Sequence, residues 1–212
     1  MSKEISMQVI KRLPRYYRFL TELENNGVDK ISSTKLAETM NATASQVRQD
    51  LNCFGGFGQQ GYGYPVANLR EEIGRILGLD VRHRAILLGA GNLGRAIATH
   101  LNFESLGFQL TAIFEKDQKL IGQMLRGIKV MSDAQIEEYI QSSDVDTAFL
   151  TLPKDSVEPL IDKLYALGIR NYWNFSHFDI ARKYSDTVVE NVHLSDSLMT
   201  LCYRINENKK PE

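Results

Sequence analysis

The segment AILLGAGNLGRAIATHL, which begins at Ala85, constrains the fold more than any other part of this sequence. A short apolar run suited to a buried strand leads into a Gly-x-Gly-x-x-Gly turn, and the residues after the turn have helical spacing. A second strand-like run, FQLTAIF, follows and ends at Glu115, 21 residues beyond Gly94. Three glycines alone are a weak signal, but this context predicts a βαβ unit that binds a dinucleotide.

Each position of this unit has a separate physical reason. Gly89 permits a tight turn, Gly91 lets the backbone approach a pyrophosphate, and Gly94 allows close packing of helix and strand. The helix N-terminus then presents unpaired N–H groups to the phosphates. Glu115 is placed to accept hydrogen bonds from the adenosine ribose and to repel a 2′-phosphate, which favours NAD(H) over NADP(H). Lys116 beside it weakens that preference slightly, and a glycine-rich crossover without a ligand is the alternative.

The alternation of strands and helices continues toward the C-terminus. Strands are predicted in GIKVM, DTAFLTLP and RNYWNF, and helices in SDAQIEEYIQ and SVEPLIDKLYALG. This rhythm predicts an α/β fold with a doubly wound, parallel sheet of the Rossmann type. Ligands of such sheets lie at the carboxyl ends of the strands, so the TLPK loop is predicted to border the site. The predicted cofactor-binding residues are Gly89, Ala90, Gly91, Asn92, Leu93, Gly94, Arg95, Glu115, Lys116, Thr151, Leu152 and Pro153.

The 84 residues before this unit have a different pattern. Helical spacing in LPRYYRFLTELENN, SSTKLAETM and TASQVRQDLNCF predicts a helix-turn-helix, with Thr43 and Gln46 at the spacing of a capping box. The third helix is predicted to bury Val47 and Leu51. GGFGQQGYGYP, which follows it, is compatible with a two-stranded wing that touches the minor groove. A helical cap with no role in binding is the alternative. The side chains that the third helix is predicted to present outward are Ser45, Gln46, Arg48, Gln49 and Asn52.

The charge distribution is compatible with a polyanionic partner for the first part of the chain. Residues 1–84 carry 12 Lys and Arg against 9 Asp and Glu, while residues 85–212 carry 13 against 17. The first eighteen residues hold five Lys or Arg and one Glu, an excess that a solvated face explains equally well.

The two cysteines, Cys53 and Cys202, show neither a disulfide framework nor a zinc pattern, which predicts a reducing cytoplasm and no metal site. Cys53 is expected to be a buried structural thiol. No apolar window is long enough to predict a membrane span.

The sequence favours a bound dinucleotide that is sensed over one that is consumed. A dehydrogenase needs an acid or base beside the substrate, yet His83, His100, His177 and His193 are scattered without a recognisable partner. After Leu152 only 60 residues remain, which leaves no room for a substrate domain. The competing hypothesis is a small NAD-dependent oxidoreductase whose N-terminal region only holds dimers together.

Taken together, the segments KRLPRYYRFL, SSTKLAE, VRQDLNCFGGFGQQGYGY, GAGNLGRA, TLPKD, LGIRNYWNFS and NVHLSDSLMTL resemble the Rex family of redox-sensing transcriptional repressors. The resemblance covers nearly the whole chain. It implies an N-terminal winged helix over residues 1–80, an NAD(H)-binding Rossmann domain over residues 81–212, and a C-terminal helix at about 194–205 that crosses into the partner of a homodimer. It also implies that the protein binds double-stranded operator DNA with inverted repeats, senses the NADH/NAD⁺ ratio and leaves the operator when NADH binds. The family is not associated with membranes. The implied DNA-binding residues are Arg12, Ser45, Gln46, Arg48, Gln49, Asn52, Gln59, Gln60, Gly61 and Tyr62.

Three features qualify this resemblance. The family commonly has Arg-Lys in the recognition helix and Lys-Arg in the wing, where this chain has Arg48-Gln49 and Gln59-Gln60. Fewer cations predict a shallower salt dependence of DNA binding. His193 stands where the family tends to have Asp.

The last predicted helix carries an apolar stripe that needs a covering surface. Either a partner or packing within the chain would supply that surface. The residues of the stripe are Leu194, Leu198, Leu201 and Ile205.

Overall fold

The computed structural model describes residues 5–55 and 63–208. The chain divides into two compact units between Val81 and Arg82. Each unit has a hydrophobic core of its own, so the two are described in turn.

The described part of the N-terminal unit consists of five helices and a small antiparallel sheet. Helix α2 begins with Pro14 in its first turn, where the missing N–H of proline costs nothing. Ser32 caps α3, because its side-chain oxygen accepts a hydrogen bond from the backbone N–H of Lys35. The elements are α1 (Met7–Ile10), α2 (Leu13–Asn25), β1 (Lys30–Ile31), α3 (Ser33–Met40), α4 (Ala44–Asn52), β2 (Tyr64–Pro65) and α5 (Val66–Ile76).

The turn between α3 and α4 confirms part of the predicted capping arrangement and corrects the rest. Asn41 ends α3 in the left-handed conformation. The Thr43 hydroxyl accepts a hydrogen bond from the backbone N–H of Gln46, as the spacing predicts. The Gln46 side chain, however, donates to Asp50 one turn further along α4. Only half of the predicted capping box is therefore present, because a buried carboxylate binds the Gln46 amide.

The helices of this unit pack around one shared hydrophobic core. Residues spaced three or four apart on each helix point inward and are fully buried. Strands β1 and β2 are paired antiparallel, with Ile31 opposite Tyr64. The predicted wing residues Gln59, Gln60, Gly61 and Tyr62 lie outside the described part of the chain. The main core residues are Leu13, Tyr16, Leu20, Leu36, Met40, Val47, Leu51, Val66, Leu69 and Ile73.

The C-terminal unit is built on one seven-stranded sheet in the order β5-β6-β4-β3-β7-β8-β9. Six strands are parallel and follow the Rossmann order, while β5 adds an antiparallel edge beside β6. Two short 3₁₀ turns, at Phe103–Leu106 and Asp133–Gln135, complete the chain path. The strands are β3 (His83–Leu88), β4 (Phe108–Glu115), β5 (Met124–Leu125), β6 (Ile128–Ser132), β7 (Thr147–Leu150), β8 (Asn171–Asn174) and β9 (Val188–Asn191). The helices are α6 (Asn92–His100), α7 (Ile136–Ser142), α8 (Lys154–Ala166), α9 (Ile180–Lys183) and α10 (Leu194–Glu207).

The two faces of the sheet are covered to different extents. Along β3, Ile86 and Leu88 pack with residues of α7, α8 and α9, whereas Ala85 and Leu87 pack with α6 and the first 3₁₀ turn. This alternation is the period of two that a strand imposes. On the second face, an apolar cavity of about 490 Å³ lies among residues of β7, β8 and β9 and the first 3₁₀ turn, so that face has an open apolar surface.

Helix α10 packs differently from the other long helices. None of its residues is buried among the described residues. The predicted stripe is therefore not covered by packing within the described chain. No helix in the described residues is long and apolar enough to span a membrane. The exposed apolar side chains of α10 include Leu194, Leu198, Met199, Leu201, Tyr203 and Ile205.

Candidate nucleotide site and nucleic-acid interface

The glycine-rich turn connects β3 to α6 and permits contacts that no larger residue allows. Gly89 has a φ of +101°, in the region that favours glycine. A Cβ atom at Gly94 would lie 1.9 Å from the Gly89 carbonyl oxygen and 2.7 Å from Oγ1 of Thr151. The first turn of α6 can therefore approach the end of β3 only because residue 94 has no side chain.

Gly91 is different, because a Cβ atom there would meet nothing within 4 Å. Gly91 is the N-cap of α6, and no side chain caps the helix. The first N–H groups of any α-helix have no intrahelical partner, and at α6 no side chain binds them while the space beside Gly91 is open. Such a cradle, at the positive end of a helix dipole, fits the pyrophosphate of a dinucleotide.

Glu115 ends β4 beside this turn and is only 8% exposed. Its carboxylate accepts hydrogen bonds from the backbone N–H groups of Ala90 at 2.6 Å, Lys116 at 2.8 Å and Asp117 at 3.1 Å. A carboxylate has about four acceptor positions, so about one remains for a ribose hydroxyl. Glu115 therefore holds the glycine-rich turn in place and also sets a negative charge beside the cradle.

Thr151 joins the loop after β7 to the same turn. Its hydroxyl lies 2.8 Å from the Gly89 carbonyl oxygen and 3.1 Å from that of Leu88, and its backbone N–H donates to Leu88. Pro153 is the N-cap residue of α8 and makes no side-chain capping hydrogen bond. The two loops that the sequence assigns to one site are thus in direct contact at the carboxyl edge of the sheet.

A cavity of about 450 Å³ opens at this edge. Four predicted residues line it, namely Gly89, Glu115, Lys116 and Leu152. The eight predicted residues that do not line the cavity are Ala90, Gly91, Asn92, Leu93, Gly94, Arg95, Thr151 and Pro153. The Arg95 guanidinium donates to Gln123 instead. The cavity also includes residues that the sequence reasoning missed, although the positions just after β6 follow from the rule that ligands lie at strand carboxyl ends. The missed lining residues are Leu88, Phe114, Asp133, Ala134, Ile136, Ser156, Pro159, Leu160 and Lys163.

Helix α4 carries the predicted DNA-reading side chains on the N-terminal unit. Its buried face holds Val47 and Leu51, as predicted. Arg48 is exposed and its guanidinium donates to the Ser33 hydroxyl at the start of α3. The opposite face of α4 is open to solvent, with Gln46 partly buried and the remaining predicted side chains exposed: Ser45, Gln49 and Asn52.

Asp50 lies on the buried side of α4 and is only 1% exposed. Arg12 binds it through two hydrogen bonds of 2.7 Å, Tyr16 donates at 3.0 Å, and Gln46 donates at 2.8 Å. Burial alone would raise the pKa of Asp50, but the hydrogen bonds from Arg12, Gln46 and Tyr16 outweigh burial and hold that pKa below its usual range. Burial raises the pKa of Tyr16, which keeps its phenol protonated as a donor. Sequence reasoning missed Asp50, although an acid between Val47 and Leu51 on the apolar face was a usable signal.

The structure gives Cys53 and Arg12 surroundings that differ from those expected from the sequence. Cys53 is exposed and its thiol donates to the Gln49 carbonyl oxygen, so the expectation of a buried structural thiol was wrong. Cys53 is the C-cap residue of α4, so its thiol binds a carbonyl oxygen in the last turn of that helix. Arg12, an implied DNA-binding residue, has its guanidinium bound to Asp50 while its side chain is 35% exposed.

Comparison with known proteins supports both units. Residues 4–52 match a family model described as "Putative DNA-binding protein N-terminus", and residues 80–178 match one described as "CoA binding domain". A protein from Caldanaerobacter subterraneus subsp. tengcongensis, named "Redox-sensing transcriptional repressor Rex", is 50% identical over 99% of this chain and 94% of its own length. A Clostridium botulinum protein of the same name is 49% identical over 98% of this chain and 99% of its own.

Two solved structures extend the comparison to the fold. The crystal structure of RSP in complex with β-NAD⁺ and operator DNA has a TM-score of 0.88 and 48% identity, and it covers 98% of this chain and 95% of its own. RSP in complex with β-NADH also has a TM-score of 0.88, with 45% identity, and covers 98% and 97%. The chain described here therefore belongs to the Rex family of redox-sensing transcriptional repressors.

Proposed function

We propose that this chain represses transcription by binding an operator through α4, and that NADH in the site at the carboxyl edge of the sheet releases it. The observation that carries the proposal is the presence of both parts in one chain, a dinucleotide cradle at Gly91 and a helix-turn-helix with an open polar face. RSP was crystallised with NAD⁺ and operator DNA and also with NADH. Members of this family are repressors rather than enzymes, which removes the support for the oxidoreductase alternative.

The residues at the carboxyl edge have separate roles in holding NAD(H). The backbone at Gly91 and the first turn of α6 bind the pyrophosphate, and Glu115 accepts from the adenosine ribose. Thr151, Leu152 and Pro153 form the wall contributed by the loop after β7. The bound group supplies redox information through its nicotinamide state, and the chain binds it without reacting with it.

Operator binding is proposed to need two copies of α4. A two-fold dimer must place its recognition helices about 34–36 Å apart, or a multiple of that, to enter major grooves on one face of an inverted repeat. A change in subunit orientation that breaks this spacing leaves one half-site unbound. NADH drives the change only as far as its affinities for the two arrangements differ.

The dimer is proposed to form through α10. This helix exposes an apolar stripe, and the second face of the sheet carries an open apolar cavity bordered by Phe103, Phe149 and Trp173. A second copy supplies both surfaces in return, so each α10 can cover the open face of its partner. Residues 1–80 then act as the DNA-binding domain and residues 81–212 as the sensing and dimerisation domain. A repressor must share a compartment with its operator, so we place the protein in the cytoplasm.

Reciprocal titration tests this proposal. NADH is titrated by calorimetry against the protein alone and against the protein with saturating operator duplex, obtained by selection from a random duplex library. Thermodynamic linkage requires that operator weaken NADH binding by the same factor by which NADH weakens operator binding, typically about 5–150-fold. Equal NADH dissociation constants in both titrations would show that the chain does not couple the two ligands.

Discrimination against the 2′-phosphate is the second expected outcome. We expect NADH and NAD⁺ to compete for one site per subunit and NADPH to bind far more weakly, because the Glu115 carboxylate is proposed to face the ribose hydroxyl that carries the added phosphate and to repel that phosphate. Competition calorimetry with the three dinucleotides measures this. Glu115→Gln removes the charge and also replaces one acceptor oxygen with an NH₂ group, so it should weaken binding of both dinucleotides and narrow the difference between their affinities. Equal affinities of the native chain for NADH and NADPH would remove the basis of the expectation.

Arg48→Ala should weaken operator binding by about 1–3 kcal/mol and leave NADH affinity unchanged, because the residue lies on the exposed face of α4 in the other unit. Fluorescence anisotropy and calorimetry give the two affinities. Arg75→Ala, which removes the same charge from α5 where Arg75 pairs with Glu71 and Glu72, is the matched control and should bind operator normally. Normal operator binding by Arg48→Ala would mean that α4 is not the reading helix.

A further inference from the structure

Among the described residues of the N-terminal unit, Asp50 is the only charged side chain that is buried. Leaving a carboxylate without partners in an apolar core is costly, and each of its oxygens here has donors. Oδ1 accepts from Arg12 and Gln46, and Oδ2 accepts from Arg12 and Tyr16. An apolar residue would pack at this position of α4, so packing alone does not account for the Asp50 carboxylate.

The partners of Asp50 come from two different helices. Tyr16 lies on α2 and Arg12 is its N-cap residue, whereas Gln46 lies in the first turn of α4. Arg12 and Tyr16 therefore fix Asp50 relative to α2, and Asp50 fixes Gln46 relative to both. A chain of charge-assisted hydrogen bonds runs from the start of α2 to the N-terminal turn of the reading helix.

The contact also determines which way the Gln46 amide faces. Its Nε2 donates to Oδ1 of Asp50 at 2.8 Å, because a carboxylate accepts hydrogen bonds and repels the amide oxygen. The amide oxygen and the second N–H of Gln46 are left for other partners. Those are the acceptor and donor that glutamine uses to bind adenine at N6 and N7 in the major groove. Residues in the N-terminal turn of a recognition helix are the ones that contact base edges.

We infer that Asp50 is a positioning residue for operator recognition, which holds α4 against α2 and orients the Gln46 amide to read one base pair. The inference rests on the proposed function, in which α4 enters the major groove. Arg12 in this arrangement acts on DNA through Asp50 rather than by contacting a phosphate.

The variant that changes the hydrogen bonds and keeps the side-chain size is Asp50→Asn. Asparagine replaces one acceptor oxygen with an NH₂ group, which can donate to the Gln46 oxygen and so permits the flipped amide, with the loss of one hydrogen bond from Arg12. Tyr16→Phe is a milder variant that removes one donor to Asp50 without altering packing. Gln46→Ala is the reference, because it removes the reading side chain altogether.

The experiment measures base-pair discrimination. Duplexes carrying the preferred half-site, found by selection from a random library with the native chain, are altered one base pair at a time, and binding of each is measured by anisotropy. Gln46→Ala should lose discrimination at one position, by about 5–150-fold. Asp50→Asn should lose it at the same position and keep it elsewhere, with Tyr16→Phe showing a smaller loss there.

Three results overturn the inference. The first is that Asp50→Asn keeps the native profile at every position. The second is that Asp50→Asn loses discrimination at a position other than the one that Gln46→Ala affects. The third is that Asp50→Asn weakens binding to all duplexes equally, non-operator DNA included, as a purely structural role requires. If Asp50→Asn does not fold, the same comparison is made with Tyr16→Phe, and an unchanged Tyr16→Phe profile then counts against the inference. Failure of the native chain to select any sequence would instead contradict the proposed function.

Salt dependence tests the role of Arg12 separately. Arg12→Met should lower operator affinity but leave the slope of log affinity against log salt unchanged, because the guanidinium is bound by Asp50. Loss of a phosphate contact would reduce the slope by about 0.9. A reduced slope would show that Arg12 contacts DNA directly and would overturn its indirect role.

Discussion

A chain that ends at His193 is expected to be monomeric, to lose operator binding and to keep NADH affinity. The DNA loss follows from avidity, because one recognition helix on one half-site forgoes a gain that is typically 10²–10⁴-fold. The fold of the sensing unit should survive, since α10 buries none of its own residues among the described residues. Light scattering, anisotropy with operator duplex and NADH calorimetry measure the three properties.

Point variants show whether the apolar stripe of α10 is the part of the helix that holds the dimer together. Leu198→Asp with Leu201→Asp places two charges on the stripe and should reproduce the truncation. Ser195→Asp with Thr200→Asp adds the same charge to other faces of α10 and should leave the dimer intact. A truncated chain that remains dimeric would place the interface elsewhere, and equal effects of the two pairs would remove the stripe from the explanation.

Gly94→Ala and Gly91→Ala are expected to abolish the response to NADH for different reasons. The new methyl at residue 94 would lie 1.9 Å from a carbonyl oxygen, so the turn must move, at a cost of about 1–3 kcal/mol in the free energy of unfolding. The methyl at residue 91 meets nothing within 4 Å, so its cost in stability is limited to the poorer N-cap that alanine makes, yet it enters the space proposed for the pyrophosphate. Both variants should stay on operator at NADH concentrations that release the native chain.

Thermal unfolding and NADH calorimetry distinguish these reasons. Each glycine variant is the control for the other, because the substitution is the same and the sites lie in one turn. Gly94→Ala should lower the midpoint of unfolding more than Gly91→Ala does. Native NADH affinity in Gly91→Ala would contradict the assignment of the cradle to the pyrophosphate.

Long periodic segments were predictable from the sequence because burial imposes a period that local residues reveal. The strand at Ala85 and the helices α2 and α8 are examples. Strand β9 was not predicted, since it is a short edge strand in which two valines are followed by two polar residues, so the sequence shows no alternation of apolar and polar side chains. Strand β5 has two residues and helix α9 has four, which is too few for any period to show.

Side-chain partners from distant segments account for the remaining differences at the candidate sites. The spacing of Thr43 and Gln46 predicts a capping box, but only the fold brings Asp50 and Arg12 together to bind the Gln46 amide. Glu115 is predictable as a carboxylate at the end of a strand, whereas its hydrogen bond to Ala90 depends on the turn conformation. Local sequence shows which polar groups are present but cannot show which of them compete for the same hydrogen-bond partner.

The separate hydrophobic cores on either side of Val81 have a consequence for how such proteins diverge. No core cluster of the described residues combines side chains from both units. A substitution that repacks one core therefore requires no compensating substitution in the other core. Operator preference can change by mutation while the dinucleotide cradle stays intact. Recombination that exchanges residues 1–81 between relatives should then yield folded hybrids, which join the promoter choice of one parent to the metabolic sensitivity of the other.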